Sequence, residues 1–353
     1  MTQATLEGQI SRIEQRLYMG MELSHNQWKL SFGSGGKPRV KQIAARDLAG
    51  LALEIAKAKK RFNLSDESPV VSCYEAGRDE FWIHRWLLSI GVQNIVVDSS
   101  SIEVSRRKRR AKTDRIDAIK LYTMLLRHIG GEQHVWSVVR VPSREDEDER
   151  RTHRELERLQ KERIAHNNRI KSLLVTQGIV VDVNRNFPEL LERIRLWDGS
   201  SLSHQLISEL KREFSRMREI DKQILEMRKE QRRQIKEDKE DKKLQLVNAL
   251  LSLRGIGAKS AWRLVYEFLW RDFENRRQVG SAAGLCGTPY DSGGSNREQG
   301  ISKAGNKRIR LLMVELSWFW LRYQPGSAIT LWFDKRFAGG GKRMRRIGIV
   351  AVA

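Results

Sequence analysis

The stretch LYMGMELSHNQWKLSF, residues 17–32, decides the fold of the first part of the chain. Its two apolar segments, residues 17–21 and 28–32, flank a polar turn at residues 24–26, and this pattern predicts a β-hairpin. Glycines at positions 33, 35 and 36 close the hairpin. A third short strand is expected next, so the chain begins as a meander of three strands.

Helices and strands alternate after the meander. Periodicity predicts a helix over residues 44–60, a buried strand at 69–74, a helix over about residues 79–89 and a strand at 94–97. A further helix begins near Asp114, with Thr113 as its N-cap. A meander followed by this alternation predicts a mixed α/β sheet over residues 1–130, in the order of the ribonuclease H-like fold.

Four carboxylates fall at related places in this predicted domain. Glu22 ends the first strand, Glu75 ends the buried strand, and Asp114 and Asp117 lie three residues apart on one face of the closing helix. Oxygen ligands suit Mg²⁺ or Mn²⁺, and the waters that Mg²⁺ keeps can be exchanged for phosphate oxygens. The set predicts a divalent-metal site, with Asp98 as a competing ligand; the competing interpretation is that exposed acids occur at strand ends in any basic protein.

The charge of the chain points to a polyanionic partner. Among 353 residues, 66 Lys plus Arg against 44 Asp plus Glu leave a net charge of +22. A surplus of this size favours nucleic acid. Cys73 and Cys286 are too few for a disulfide framework or a zinc site, which fits a reducing cytosol. Without an apolar run of about 18 residues or a signal peptide, neither membrane insertion nor secretion is expected.

A basic run directly precedes the Asp pair, in the sequence SRRKRRAKTD at residues 105–114. Such a run neutralises several phosphates and makes binding dependent on salt. The alternatives are a solvated loop or a targeting signal. The predicted nucleic-acid contacts here are Arg106, Arg107, Lys108, Arg109, Arg110 and Lys112.

Residues 131–245 are predicted to form a linker and an antiparallel helical coiled-coil arm. Charged residues of both signs dominate segments 145–175 and 202–243, and apolar residues recur there at helical spacing. The second segment carries a coiled-coil-like seam. An irregular stretch, residues 178–201 with Pro188, would let the chain reverse. The seam residues are Ile207, Leu210, Phe214, Met217, Ile220, Ile224 and Met227.

Residues 246–353 are predicted to form a third, mainly helical domain. The segment LLSLRGIGAKSA, residues 250–261, has the form of a helix-hairpin-helix, in which Gly255, Gly257 and Lys259 would contact a phosphate. A helix C-cap followed by a new helix would have the same appearance.

Ser292 is followed by two glycines, and cations at Arg297 and Lys303 could hold a phosphate beside it. Serine is a weak nucleophile until a base or a metal activates it, and no histidine is adjacent in sequence. On spacing alone, Ser292 is typical of a turn. Ser295 and Ser302 are alternative nucleophiles.

Seven segments in this order resemble the DEDD-type insertion-sequence transposases, which are related to the Piv DNA invertases and understood as bridge-RNA-guided recombinases. The resemblance covers nearly the whole chain. The segments are GMELS at 20–24, YEAG at 74–77, KTDRIDA at 112–118, LRGIG at 253–257, GTP at 287–289, SGG at 292–294 and GISKAGN at 300–306.

The resemblance implies a RuvC-like acidic domain, a coiled-coil arm that joins protomers as a dimer or tetramer, and a transposase domain with a serine nucleophile. Glu22, Glu75, Asp114 and Asp117 would be the acidic set, and Ser292 would attack DNA to form a covalent phosphoserine. A structured bridge RNA would select donor and target DNA by base pairing, in the bacterial cytoplasm and at the nucleoid. The family has Asp where this chain has Glu22, and its pattern continues beyond residue 353 into a further helix.

Two other functions remain open at this level. The first is a RuvC-like metal nuclease or junction resolvase that hydrolyses DNA with water. The second is a nucleic-acid-binding homologue whose acidic site is impaired at Glu22.

Overall fold

The computed structural model describes residues 16–77, 80–102, 113–132, 134–292 and 294–353. The chain divides into two compact units, Met1–Pro142 and Ser143–Ala353. The predicted division into three domains, at residues 130 and 245, stays a prediction.

The first unit contains the predicted mixed sheet of five strands. The strand order is β3-β2-β1-β4-β5, in which β1, β2 and β3 pair antiparallel whereas β1, β4 and β5 pair parallel. This arrangement is compatible with a RuvC-like fold. The strands are β1 Leu17–Leu23, β2 Gln27–Gly33, β3 Arg39–Ala44, β4 Val70–Glu75 and β5 Val92–Val97.

Helices cover both faces of this sheet. Leu17, Met19 and Met21 of β1 pack with α1, Leu48–Arg61, and α2, Glu80–Ser89. Tyr18 faces the other side and packs with α3, Asp114–Ile129. A central strand buried on both faces is apolar at nearly every position, as β1 is.

The helix predicted from residue 44 begins four residues later, at Leu48. Residues up to Ala44 belong to β3, and the Asp47 side chain caps the helix by accepting from the Gly50 amide. A side-chain cap of this kind sets the first turn of a helix. Thr113 caps α3 in the predicted way, accepting from the Ile116 amide.

The second unit begins with two long helices, α4 Arg144–Val175 and α6 His204–Glu237. Arg163 of α4 pairs with Asp221 of α6, while Arg169, further along α4, pairs with Glu213, which lies earlier in α6. The two helices therefore run antiparallel, and Leu210, Met217, Ile220 and Ile224 of the predicted seam are buried. The knobs-into-holes packing of a coiled coil stays a prediction.

Two details of this segment were wrong in the sequence interpretation. The stretch expected to be irregular contains a short helix, α5 Phe187–Arg193, with Pro188 in its first turn, where proline is tolerated. The helix expected to reach residue 243 ends at Glu237, because Asp241 caps a new helix, α7 Lys242–Leu251.

The rest of the second unit is mainly helical and includes one two-stranded hairpin. Among the described residues, no helix is long and apolar enough to cross a membrane. The elements are α8 Ala258–Glu267, α9 Arg276–Ala283, β6 Gly287–Ser292, β7 Ser295–Ile301, α10 Lys307–Tyr323, α11 Ala328–Phe333, a π-helical turn Asp334–Ala338 and α12 Lys342–Val352.

Candidate functional site

Glu22 and Glu75 lie at the same edge of the sheet. Met21 of β1 and Tyr74 of β4 are the last registered pair of these parallel strands, and the two glutamates directly follow them. Registered neighbours in a parallel pair point to the same face. Tyr18 of β1 and Cys73 of β4 lie on the face covered by α3, and side chains alternate along a strand. Both glutamates therefore lie on the α3 face.

Helix α3 brings Asp114 and Asp117 to this edge. A Cβ on Gly20 would stand 2.7 Å from the Ala118 carbonyl oxygen, so the helix backbone lies directly on β1. Further along α3, Leu125 packs in one cluster with Tyr18, which is earlier in β1. Helix and strand thus run in opposite directions, and the first turn of α3 lies at the carboxyl end of β1.

The four carboxylates share this edge without forming a closed ligand set. Glu75 and Asp114 are exposed, and Glu22 and Asp117 are half-buried. Across the described part of the chain, no group of three or more His, Cys, Asp or Glu side chains is close enough to hold a metal ion. The donor set itself is made only of carboxylate oxygens, which is the chemistry that Mg²⁺ or Mn²⁺ requires.

Asp98, the competing ligand, has a local structural role. Its carboxylate accepts hydrogen bonds from the Ser100 backbone amide at 2.9 Å and from the Ser100 hydroxyl at 2.8 Å. It thereby caps the short 3₁₀ turn Ser99–Ser101. These bonds occupy one of the two carboxylate oxygens.

Part of the sequence interpretation falls outside the described residues. Residue 79, the predicted start of the second helix, is one such position. The basic run before α3 is also outside, namely Arg106, Arg107, Lys108, Arg109, Arg110 and Lys112.

Ser292 is the last residue of strand β6. It pairs with Ser295 of β7, so only two glycines separate the strands, and Gly294 has a φ of +89°. Two-residue hairpin loops require such left-handed backbone, which glycine adopts without strain. The side chains of Ser292 and Arg297 lie outside what the structure describes.

Backbone packing anchors the base of this hairpin. The Ser302 amide donates to the Cys286 carbonyl at 2.9 Å, and the Asn306 amide donates to the Ala282 carbonyl at 2.8 Å. Gly305 has a φ of +111°, and a Cβ there would stand 2.5 Å from the Ala282 carbonyl oxygen. The glycine at position 305 therefore allows the backbone of residues 302–306 to pack against that of residues 282–286. These contacts hold together the two chain segments that flank the hairpin carrying Ser292.

The turn before α8 has the predicted glycine geometry. Gly255 has a φ of +100°, and Gly257 is the N-cap of α8, where it offers no side chain to the first amides of the helix. Lys259 follows in the first turn and is exposed. This backbone is consistent both with a phosphate-binding helix-hairpin-helix and with a simple helix start, so the phosphate contact stays a prediction.

Sequence reasoning missed a buried ionic cluster at Glu267, which is 2% exposed. The Glu267 carboxylate accepts from Arg154 Nη2 at 2.8 Å and lies 3.0 Å from His153 Nε2. Burial raises the pKa of Glu267, but the hydrogen bonds from Arg154 and His153 lower it more, so the pKa lies well below its ordinary value. The partners are more than 100 residues apart, and no local pattern links them.

The known proteins that this chain resembles are named as transposases. A family model described as "Transposase IS116/IS110/IS902 family" matches residues 247–330, a range that includes the Gly255–Gly257 turn and Ser292. The protein named "Putative transposase y4rJ" of Sinorhizobium fredii is 40% identical over 351 residues, which cover 96% of this chain and 89% of the relative.

Two further relatives are more distant. "Putative transposase y4qE" of Sinorhizobium fredii is 27% identical over 285 residues, covering 80% of this chain and 65% of the relative. "Transposase for insertion sequence element IS1328" of Yersinia enterocolitica is 27% identical over 178 residues, covering 49% of this chain and 51% of the relative.

Proposed function

This chain belongs to the IS116/IS110/IS902 transposase family, and from that premise we propose that it is an RNA-guided DNA recombinase. In this proposal it cuts and rejoins donor and target DNA through a covalent phosphoserine on Ser292. The acids Glu22, Glu75, Asp114 and Asp117 support the reaction.

The observation that carries the proposal is the parallel register of β1 and β4. It sets Glu22 and Glu75 side by side at the edge of the sheet where α3 begins. Carboxyl ends of parallel strands are where open α/β sheets commonly bind ligands.

These four carboxylates are the residues that would hold Mg²⁺ or Mn²⁺. A divalent cation bound there would stabilise negative charge that develops on a DNA phosphate. The placement of Asp114 and Asp117 in the first turn of α3 supports this role, because the anionic side chains are stabilised by the positive end of the helix dipole.

Ser292 is the proposed nucleophile. Its Oγ attacks a phosphorus atom of the DNA, the bond from Oγ to phosphorus forms, and the bond from phosphorus to the 3′ oxygen breaks. The serine hydroxyl gives up one proton and the departing 3′ oxygen takes one, so the step needs no oxidant, reductant or water. The reverse step, with a 3′-OH of the other DNA, rejoins the strands.

We assign the selection of DNA sites to a structured bridge RNA. The basic run at residues 106–112 and the exposed Lys259 would then contact phosphates of either nucleic acid. The antiparallel pair of α4 and α6 is the proposed element for joining protomers into a dimer or tetramer.

A covalent-adduct assay tests the proposed chemistry. The protein is incubated with end-labelled target DNA, the RNA that copurifies with it, and Mg²⁺, and is then denatured and separated by electrophoresis. We expect labelled DNA attached to the wild-type protein and none attached to Ser292→Ala. Ser295→Ala and Ser302→Ala are the matched controls and should keep the adduct.

Other outcomes identify the alternatives. Free cleaved ends that persist in Ser292→Ala would indicate hydrolysis by a RuvC-like nuclease. Binding without cleavage, unchanged when Asp114 and Asp117 are replaced by Asn, would indicate an impaired nucleic-acid-binding homologue.

A further inference from the structure

A row of three polar side chains crosses the sheet at the end that carries the four proposed acids, called the acidic edge below. Glu22 of β1 is registered with Lys29 of β2, and Lys29 is registered with Gln42 of β3. Registered residues of antiparallel strands share one face, with Cβ atoms about 4.5–5.5 Å apart. A Cβ on Gly33, further along β2, would collide with Tyr122 of α3, so this face is the α3 face. A lysine therefore lies directly beside one of the proposed acids.

The ammonium group of Lys29 is held in place without losing its charge. Lys29 is half-buried, and its Nζ donates a hydrogen bond to the side-chain oxygen of Gln42. Gln42 is neutral, so this bond orients the ammonium group but does not neutralise it. An ammonium group has three N–H donors, which leaves donors for a further acceptor. Of the strand residues that the structure describes on the α3 face, Lys29 is the only cation.

A second cation reaches the acidic edge from the turn between β3 and α1. The guanidinium group of Arg46 donates to the His25 carbonyl at 3.3 Å, and the Ala45 amide donates to the Asn26 carbonyl at 3.0 Å. These bonds tie the turn after β3 to the turn between β1 and β2, which lies at the carboxyl end of β1. Arg46 itself is exposed. Lys29 and Arg46 are called the edge cations below.

The edge cations lie on one side of the acidic edge, next to β2 and β3. On the other side, β5 leads into Asp98, whose carboxylate accepts hydrogen bonds from Ser100. A DNA phosphate that approaches the acidic edge meets like charge. At physiological salt, only cations within about 8 Å offset such repulsion, because more distant charges are screened. DNA is therefore attracted to the side of β2 and β3.

We propose that Lys29 and Arg46 bind backbone phosphates of DNA beside the acidic edge, so that the DNA passes over the ends of β2 and β3. The Lys29 ammonium group donates to one phosphate oxygen, and the planar guanidinium group of Arg46 suits a neighbouring phosphate. The inference rests on the proposed function, because it requires that DNA reaches the acids. It adds a phosphate-binding pair in the first unit, separate from the basic run and from the glycine turn before α8.

DNA binding by the full chain in buffer with EDTA tests this assignment without requiring catalysis. A fluorescein-labelled DNA duplex of about 30 base pairs is titrated by anisotropy at several salt concentrations. Lys29→Gln combined with Arg46→Gln should weaken binding about tenfold, because hydrogen bonds to charged groups are the stronger ones. The same variant should lower the slope of log affinity against log salt by about 1.8, which corresponds to two phosphates. Its melting temperature should stay that of the wild type, since glutamine keeps a polar group beside Gln42.

Strand β3 supplies a charge-matched control, Arg39→Gln combined with Lys41→Gln. Both residues are exposed, and they are registered with Phe32 and Leu30, whose side chains lie in the core on the opposite face of the sheet. This control removes the same two charges and should keep the wild-type slope. Lys29→Arg retains the charge at the acidic edge, so it should keep the wild-type slope as well.

Three results would overturn the proposal. Equal slopes in the two double variants would place the phosphates elsewhere, and a lowered slope in Lys29→Arg would show that Lys29 acts through packing instead of charge. In a parallel titration with single-stranded RNA of about 30 nucleotides, a loss seen with RNA but not with DNA would assign the pair to RNA. Binding in EDTA requires no cleavage, so failure of the Ser292 adduct assay with the slope difference intact would reject the recombinase chemistry alone.

Discussion

Gly20 lies directly beneath the backbone of Tyr122, and a Cβ on Gly20 would stand 2.5 Å from the Tyr122 amide nitrogen. Tyr122 secures the helix further by donating its hydroxyl to the Gly36 carbonyl at 3.0 Å. The absence of one side chain in β1 therefore lets α3 lie on the sheet. The position of Asp114 and Asp117 depends on this close approach.

Substituting Gly20 should lower the stability of the fold and displace Asp114 and Asp117. Gly20→Ala forces α3 away from β1, and overpacking of this kind costs about 1–3 kcal/mol in the free energy of unfolding. Urea denaturation measures the loss. Gly36→Ala is the matched control, since a Cβ there meets nothing within 4 Å. Equal stabilities of the two variants would contradict the close packing.

The stability of the first unit should fall as the pH drops below about 6.5, the ordinary pKa of histidine. His84 Nδ1 lies 2.9 Å from Asn94 Nδ2, and Asn94 in turn accepts from the Ser72 hydroxyl. Burial, and then the charge of Arg85, lower the pKa of His84. The folded state therefore holds His84 neutral, whereas the unfolded chain takes up a proton at higher pH, which favours unfolding in acid.

Urea denaturation between neutral and mildly acidic pH measures this effect. His84→Gln should flatten the pH dependence. The exposed His134 provides the control, and His134→Gln should keep the wild-type slope. If the free energy of unfolding of His84→Gln changed with pH as steeply as that of the wild type, other groups would cause the pH dependence.

Loss of the Glu267 charge should destabilise the second unit. Glu267→Gln leaves Arg154 and His153 without an anionic partner, and we expect a loss of about 2 kcal/mol. This is less than for a fully buried pair, because the Arg154 side chain is 43% exposed and water screens its charge. Chemical denaturation at neutral pH measures the difference.

Glu230→Gln is the control for this change, since the Glu230 pair with Arg233 is exposed on both sides. Its effect should be smaller than that of Glu267→Gln, because water screens both partners of an exposed pair. Because the folded pKa of Glu267 is depressed, its contribution is present at neutral pH and is lost as the pH falls below the ordinary value of 4.5. Wild type and Glu267→Gln should therefore converge in acid.

Neutralising the basic run should flatten the salt dependence of nucleic-acid binding. Each contacted phosphate contributes a slope of about 0.7–0.9 in log affinity against log salt, so replacing Arg106, Lys108 and Arg110 by Gln should reduce the slope by about 2. Binding titrations at several salt concentrations measure it. The control replaces Lys59, Lys60 and Arg61, the basic last turn of α1. Equal slopes in the two triple variants would place the contacts elsewhere.

Local sequence signals were sufficient for much of the first unit. The two apolar segments within residues 17–32, which flank a polar turn, predicted two strands that the structure confirms, and Thr113 predicted the start of α3. In the second unit, Ser143 caps α4, whose first turn carries the acids Glu145, Asp146 and Glu147. Helix caps and short apolar segments are set within a few residues, so a single sequence reveals them.

The β6–β7 hairpin was not predicted. Its strands, GTPYDS and SNREQGI, are rich in residues that are rare in strands. They pair because the backbone contacts at Gly305 and Ala282 hold the two ends of the segment together. Ser292 therefore ends a strand instead of lying in a free turn.

The sequence by itself determined the strands and helix starts of the first unit, the basic character of the chain and the acids at strand ends. Only the tertiary structure decided that Glu22 and Glu75 directly follow a registered pair on the α3 face and that Glu267 meets His153 and Arg154. The reason is physical: caps and apolar segments depend on neighbours in the chain, whereas strand register and buried ion pairing depend on packing between segments far apart in sequence.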